Sequence, residues 1–177
     1  MDPIFLEYSS RREQLNELIN RSDSGLATEL GIELIEATDY SEDKEKTRHC
    51  HWYTFLNYPR FWKDYIIQQH LAQAPPGFSE TTRLEDAAIV LYFNSLGPKN
   101  GFFPHLAKGK IVHSGRVEGG QVISKFTFGG VYRHTVEDVP AIYGDQAVLL
   151  SRLPEDKAEQ EMSMVLSKKW YEGGMYL

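Results

Sequence analysis

Seven apolar residues in unbroken succession, Ala87 to Phe93 ("AAIVLYF"), set the strongest constraint on how this chain folds. The run is short for a buried helix and carries β-branched Ile89 and Val90 beside aromatic Tyr92 and Phe93, which suits a central strand buried within a sheet. Partners for such a strand follow it in the sequence. "HLAKGKIVHSG" and "QVISKFTF" flank "RVEGG", a hairpin signal, and "QAVLLSRL", Gln146 to Leu153, reads as a further strand. Between them "GGVYRHTVEDVPAIYG" reads as a turn-rich connection.

Ahead of the apolar run the pattern is mainly helical. "SSRREQLNELI" offers Ser9 or Ser10 as an N-cap and places Leu15, Leu18 and Ile19 at helical spacing. "GIELIEAT" alternates weakly, as a short strand does, and "DYSEDKEK", Asp39 to Lys46, is a solvated polar loop. A helix starts near His49, is interrupted at Pro59, resumes in "RFWKDYIIQQHLA" and stops at "APPG". At the far end "PEDKAEQEMSMVLSKKWYE" is helical up to Gly173 and Gly174. Helices first and an antiparallel sheet afterwards predict an α+β fold, with residues 1–177 as one domain.

Charge removes several classes of function. A net charge of −6 without a basic cluster argues against nucleic-acid or membrane-surface partners. The amino terminus lacks a basic region followed by an apolar one, and no apolar run approaches the roughly 20 residues a membrane span needs. The expectation is a soluble protein, cytoplasmic or exported without a cleavable signal peptide. The glycine pairs at Gly119 and Gly129 lack the lysine and helix of a phosphate loop, and no Cys or His pair shows zinc-ligand spacing. Neither cofactor nor metal is expected.

The one cysteine, Cys50, cannot form a disulfide within the chain and lies at the expected start of a helix. Unpaired N–H groups at a helix start favour a thiolate, and a nearby imidazole completes a nucleophile. His49 and His51 flank Cys50, but neighbours on a helix point away from the residue between them. His105 is the better base, since "FPHLAKGKIV" puts it at the mouth of a strand. A third polar group should orient that ring, and Ser124 and His134 are the candidates. His134 falls in a polar turn and is expected to be exposed. For Ser124 the plain alternative is a hydroxyl bonded within the sheet.

The order "RHCHWYTF", "LEDAAIVLYF", "FPHLAKGKIV", "QVISKF" resembles the NlpC-type and CHAP-type branches of the papain-like cysteine hydrolases. More narrowly, His105 through "VISK", "YRHT" and "YGDQAVLL" looks like a bacterial domain family of that superfamily. The likeness spans about residues 48–153, leaving an N-terminal helical extension and a C-terminal helix outside it. It implies a papain-like domain in which Cys50 is the nucleophile, His105 the base and Ser124 the orienting group. His49, Glu85 and Phe126 depart from the family's pattern. The implied activity is cleavage of an amide or acyl bond in a peptide or protein substrate, cell-wall peptides included, by a peptidase, amidase or deamidase. The alternative is a non-catalytic binding, immunity or adaptor module on the same scaffold.

Overall fold

The computed structural model describes residues 4–37, 50–55, 77–93, 111–126 and 129–172. The apolar run supplies β4, Ile89–Phe93, and every residue of it is buried. β4 lies between β5, Ile111–Glu118, and β8, Gln146–Arg152, antiparallel to both, with Leu91 opposite Ser114 on one side and Val148 on the other. β5 turns into β6, Gln121–Lys125, through Gly119 and Gly120. Both glycines have positive φ (60° and 76°), the twist that a two-residue hairpin turn between right-twisted strands requires.

The sheet continues through β7, Val131–His134, to β2, Glu33–Glu36, which carries a bulge between Leu34 and Glu36. Beyond β8, the short strands β1, Ile4–Phe5, and β3, Phe78–Thr81, share its other edge. All of these pairings are antiparallel, so the expected α+β class holds. β7 corrects the expectation of a turn-rich connection. Its "VYRH" carries two polar residues, and the apolar signal that marks β4 is too weak there to read as a strand.

Alternation along the strands gives the sheet two faces. Val90, Tyr92, Val122, Phe126, Tyr132, Ala147 and Leu149 point toward the N-terminal layer. That layer consists of α1, Ser10–Leu15, a 3₁₀ turn over Asn16–Ile19, and α2, Ser24–Glu29; it contributes Leu15, Leu18, Ile19, Ala27 and Leu30 to the same core. Ser9 caps α1, its hydroxyl accepting from the Arg12 N–H at 3.2 Å. The opposite face bears α3, Cys50–Thr54, packed on β5 and β6. α4 covers Glu155–Glu172, as the sequence pattern predicts. The expected helix over 60–72 and the polar loop over 39–46 lie outside the described residues.

Close polar and backbone contacts add to the shared core in binding the N-terminal layer to the sheet and its turns. Gly129 approaches the backbone of Leu18 so closely that a Cβ at Gly129 would overlap the Leu18 carbonyl. Arg12 is buried and its guanidinium donates to five carbonyl oxygens: Val139 (2.9 Å), Leu6 (3.2 Å), Glu7 (3.4 Å), Gly144 (2.6 Å) and Pro140 (3.5 Å). We expect Arg12→Met to cost about 3–5 kcal/mol in urea unfolding, because it strips donors from several buried carbonyls. Arg12→Lys should recover less than half of that, since an ammonium lacks the planar fork. A loss below about 1 kcal/mol in the Met variant would show that the carbonyls find other donors.

Candidate functional site

β5 places His113 and Ser114, adjacent in sequence, on opposite faces of the sheet, and each belongs to a buried polar chain. On the α3 face, His51 Nδ1 lies 2.8 Å from Ser114 Oγ, Ser114 donates to Thr54 Oγ1 at 2.9 Å, and Thr54 donates to the Cys50 carbonyl at 3.0 Å. A carbonyl only accepts, so the direction of the whole chain is fixed. The Thr54 proton points at Cys50 O, the Ser114 proton at Thr54, and Ser114 therefore accepts from His51 Nδ1–H. The basic nitrogen of the neutral His51 ring is then Nε2.

Cys50 opens α3, as the sequence predicts, and its side chain is buried. Burial pushes the thiol up to about 12, against the opposing influence of backbone N–H groups of Ser114, His51 and Cys50 itself. The sulfur therefore sits among donors that favour a thiolate, yet loss of solvation dominates and keeps it protonated at neutral pH.

On the opposite face, His113 Nε2 lies 2.9 Å from Ser124 Oγ, and Ser124 Oγ lies 2.8 Å from His134 Nε2. His134 Nδ1 lies 2.7 Å from the Thr135 carbonyl. The same logic applies: His134 donates from Nδ1 to Thr135, Ser124 donates to His134 Nε2, and His113 Nε2–H donates to Ser124. His113 stacks on Tyr143 with ring centroids 3.9 Å apart and planes 5° apart, while Phe126 packs against both histidine rings. Burial lowers His134 to about 4, with the Thr135 carbonyl and Asp138 acting the other way. His113 falls well below the ordinary histidine range, through burial first and then the neighbouring His51 and His134.

These positions separate the residues singled out from the sequence. Ser124 and His134 are brought together, but with His113 and on the sheet face away from Cys50. Ser124 is hydrogen-bonded to His113 and His134 within the sheet, accepting from one ring and donating to the other. His134 is 2% exposed, a correction to its expected place in an open turn. It is the last residue of β7, and its ring turns inward to meet Ser124 and Phe126. His105 and His49 lie outside the described residues.

His51, Ser114, Thr54 and His113 complete the polar chains, and the sequence reading gave none of them a role. Ser114 could have been separated from His113 by strand alternation alone; which face α3 would cover has no local signal. Among the described residues, no three Cys, His, Asp or Glu side chains gather as a metal-binding set. A groove of about 450 Å³, lined by Thr28, Glu33, Gln121, Arg133 and His134 among others, opens where α2, β2 and β7 meet. No described helix is long and apolar enough to cross a membrane. Comparison with protein-family models, with curated proteins and with solved structures found no match.

Ser124→Ala should destabilise the protein by about 2–4 kcal/mol at pH 7, because one deletion strands both a buried imidazole N–H and a buried imidazole lone pair. Chemical unfolding measures it. A cost under about 0.5 kcal/mol would mean the two rings re-pair without the hydroxyl.

Proposed function

We propose that this chain is a thiol-dependent hydrolase with a papain-like arrangement, acting on an amide or acyl bond of a peptide or protein. The observation that carries the reading is the setting of the Cys50 sulfur. It lies at the first residue of a helix that rests on β5, among the backbone N–H groups of Ser114, His51 and Cys50. Those donors suit both a thiolate and the oxyanion formed when it attacks a carbonyl. His105 lies six positions before Ile111, on the chain leading into β5, and is the base in this reading.

The steps follow from those groups. His105 takes the thiol proton, and the sulfur bonds to the carbonyl carbon while an N–H donor holds the oxygen. His105 then returns the proton to the leaving amine as the carbon–nitrogen bond breaks. Water, deprotonated by the same ring, cleaves the resulting thioester and restores the thiol. Ser124 and His134 have no part in this sequence, and no cofactor enters it. Substrates that fit include peptide bonds, cell-wall peptide amides and side-chain amides such as glutamine.

A second reading, a non-catalytic binding or adaptor module, is favoured by the covered sulfur. Burial pushes the thiol up to about 12, so the thiol form prevails at pH 7. Iodoacetamide labelling against pH separates the two. The hydrolase reading expects Cys50 to alkylate at pH 7 faster than glutathione does, and His105→Ala to slow it at least about tenfold. A rate that climbs only above pH 10 and is indifferent to His105 sinks the hydrolase and leaves the module.

A further inference from the structure

The proton positions in the His113, Ser124 and His134 chain are consistent with one neutral arrangement. His134 Nδ1–H is committed to the Thr135 carbonyl, so Nε2 must accept, Ser124 must donate to it, and His113 Nε2–H must donate to Ser124. His113 Nδ1 is left as a buried lone pair with no hydrogen-bond partner among the described residues. A proton added at His134 Nε2 has no good place to go. If it stays there, the Ser124 hydroxyl faces two donors and its own hydrogen loses its acceptor. If Ser124 turns to donate to His113 Nε2, the His113 hydrogen must move to Nδ1, where no acceptor lies among the described residues.

We infer that His113, Ser124 and His134 form an acid-operated latch that holds the β7 and β2 side of the sheet closed while the chain is neutral and releases it on protonation. β7 carries His134 at its end, and the following turn is fixed to α1 by Arg11 on Asp138 (2.5 Å) and Arg12 on Val139. β2 is held by β7 alone in the strand order, and Glu33 pairs with Arg133 across it at 2.7 Å. Displacing His134 therefore loosens the strand that β2 depends on, beside the groove that His134 lines.

The charged surroundings do not rescue the protonated ring. Asp138, the carboxylate that attracts it, is engaged by Arg11 and by the Thr135 hydroxyl at 3.0 Å. From α3, across the sheet, His51 acts against a positive His113; from α1, Arg12 faces Tyr92, the neighbour of His113. Arg133 is tied to Glu33, and Glu137 acts on Tyr92 rather than on either histidine. The lowered His134 makes the direction explicit. The latch is intact above the ordinary histidine value near 6.5 and weakens as pH falls toward about 4.

Hydrogen exchange of the full chain at pH 7.0 and 4.5, corrected for intrinsic rates, tests this. Protection of β7 and β2 amides should fall at least tenfold at pH 4.5 while β4 and β8 keep theirs. His134→Gln, whose amide can accept from Ser124 and donate to Thr135 without titrating, should abolish most of that difference. The wild-type His134 ring, followed by NMR, should stay neutral through the upper part of the pH interval and take up its proton only near the lower end, about 4. Equal protection of β7 and β2 at both pH values, an unchanged pH response in His134→Gln, or titration of His134 with β7 still protected would each overturn the latch. The result is independent of Cys50 chemistry.

Discussion

The Arg12 guanidinium is the contact on which the rest of the structure depends. It ties α1 and the chain just after β1, which are close in sequence, to the turn over residues 139–144, far along the chain. Because its acceptors are carbonyl oxygens rather than a carboxylate, the charge is spread over several backbone dipoles, each oriented by its own local structure. Burial lowers its affinity for its proton, but the guanidinium starts so high that it remains a cation, with Asp145 and Tyr92 favouring the charge. The turn it fixes carries Tyr143, and Tyr143 is the ring on which His113 stacks. The geometry of the buried histidines is thus set from the N-terminal layer as much as from the strands that bear them.

The two polar chains that meet β5 from opposite sides are built from the same residue types and respond differently to a proton. His51 donates from Nδ1 in both its neutral and charged forms, so its link to Ser114 survives protonation. His134 spends both nitrogens when neutral, one as donor and one as acceptor, and cannot gain a proton without losing a bond. A proton added to His51 leaves its chain intact, and one added to His134 breaks the other.

Much of the sheet was legible in the sequence because its strands are carried by uninterrupted apolar runs and a glycine-paired turn. β4, β6 and β8 read directly from "AAIVLYF", "QVISK" and "QAVLLSR". β7 did not, because His134 is buried by hydrogen bonding rather than by apolarity, and a polar residue leaves no hydrophobic trace of its burial. β1 and β3, at two and four residues, are too short for periodicity to register. The candidate site was legible in part. The start of α3 at Cys50 follows from the change from polar loop to aromatic segment. Ser124 lies on the sheet face away from Cys50, and that separation is not legible because face assignment depends on which side of the sheet a distant helix covers.

The Gly129 contact with Leu18 has a consequence for how the protein can vary. Most close packing is between side chains, and a bulky change on one side can be relieved by a smaller residue on the other. Here the surface that Gly129 meets is a peptide carbonyl, which every amino acid shares. No substitution at Leu18 makes room for a side chain at position 129. Only a shift of the 3₁₀ turn as a body could do so, and that would carry Leu15 and Leu18 out of the core they fill.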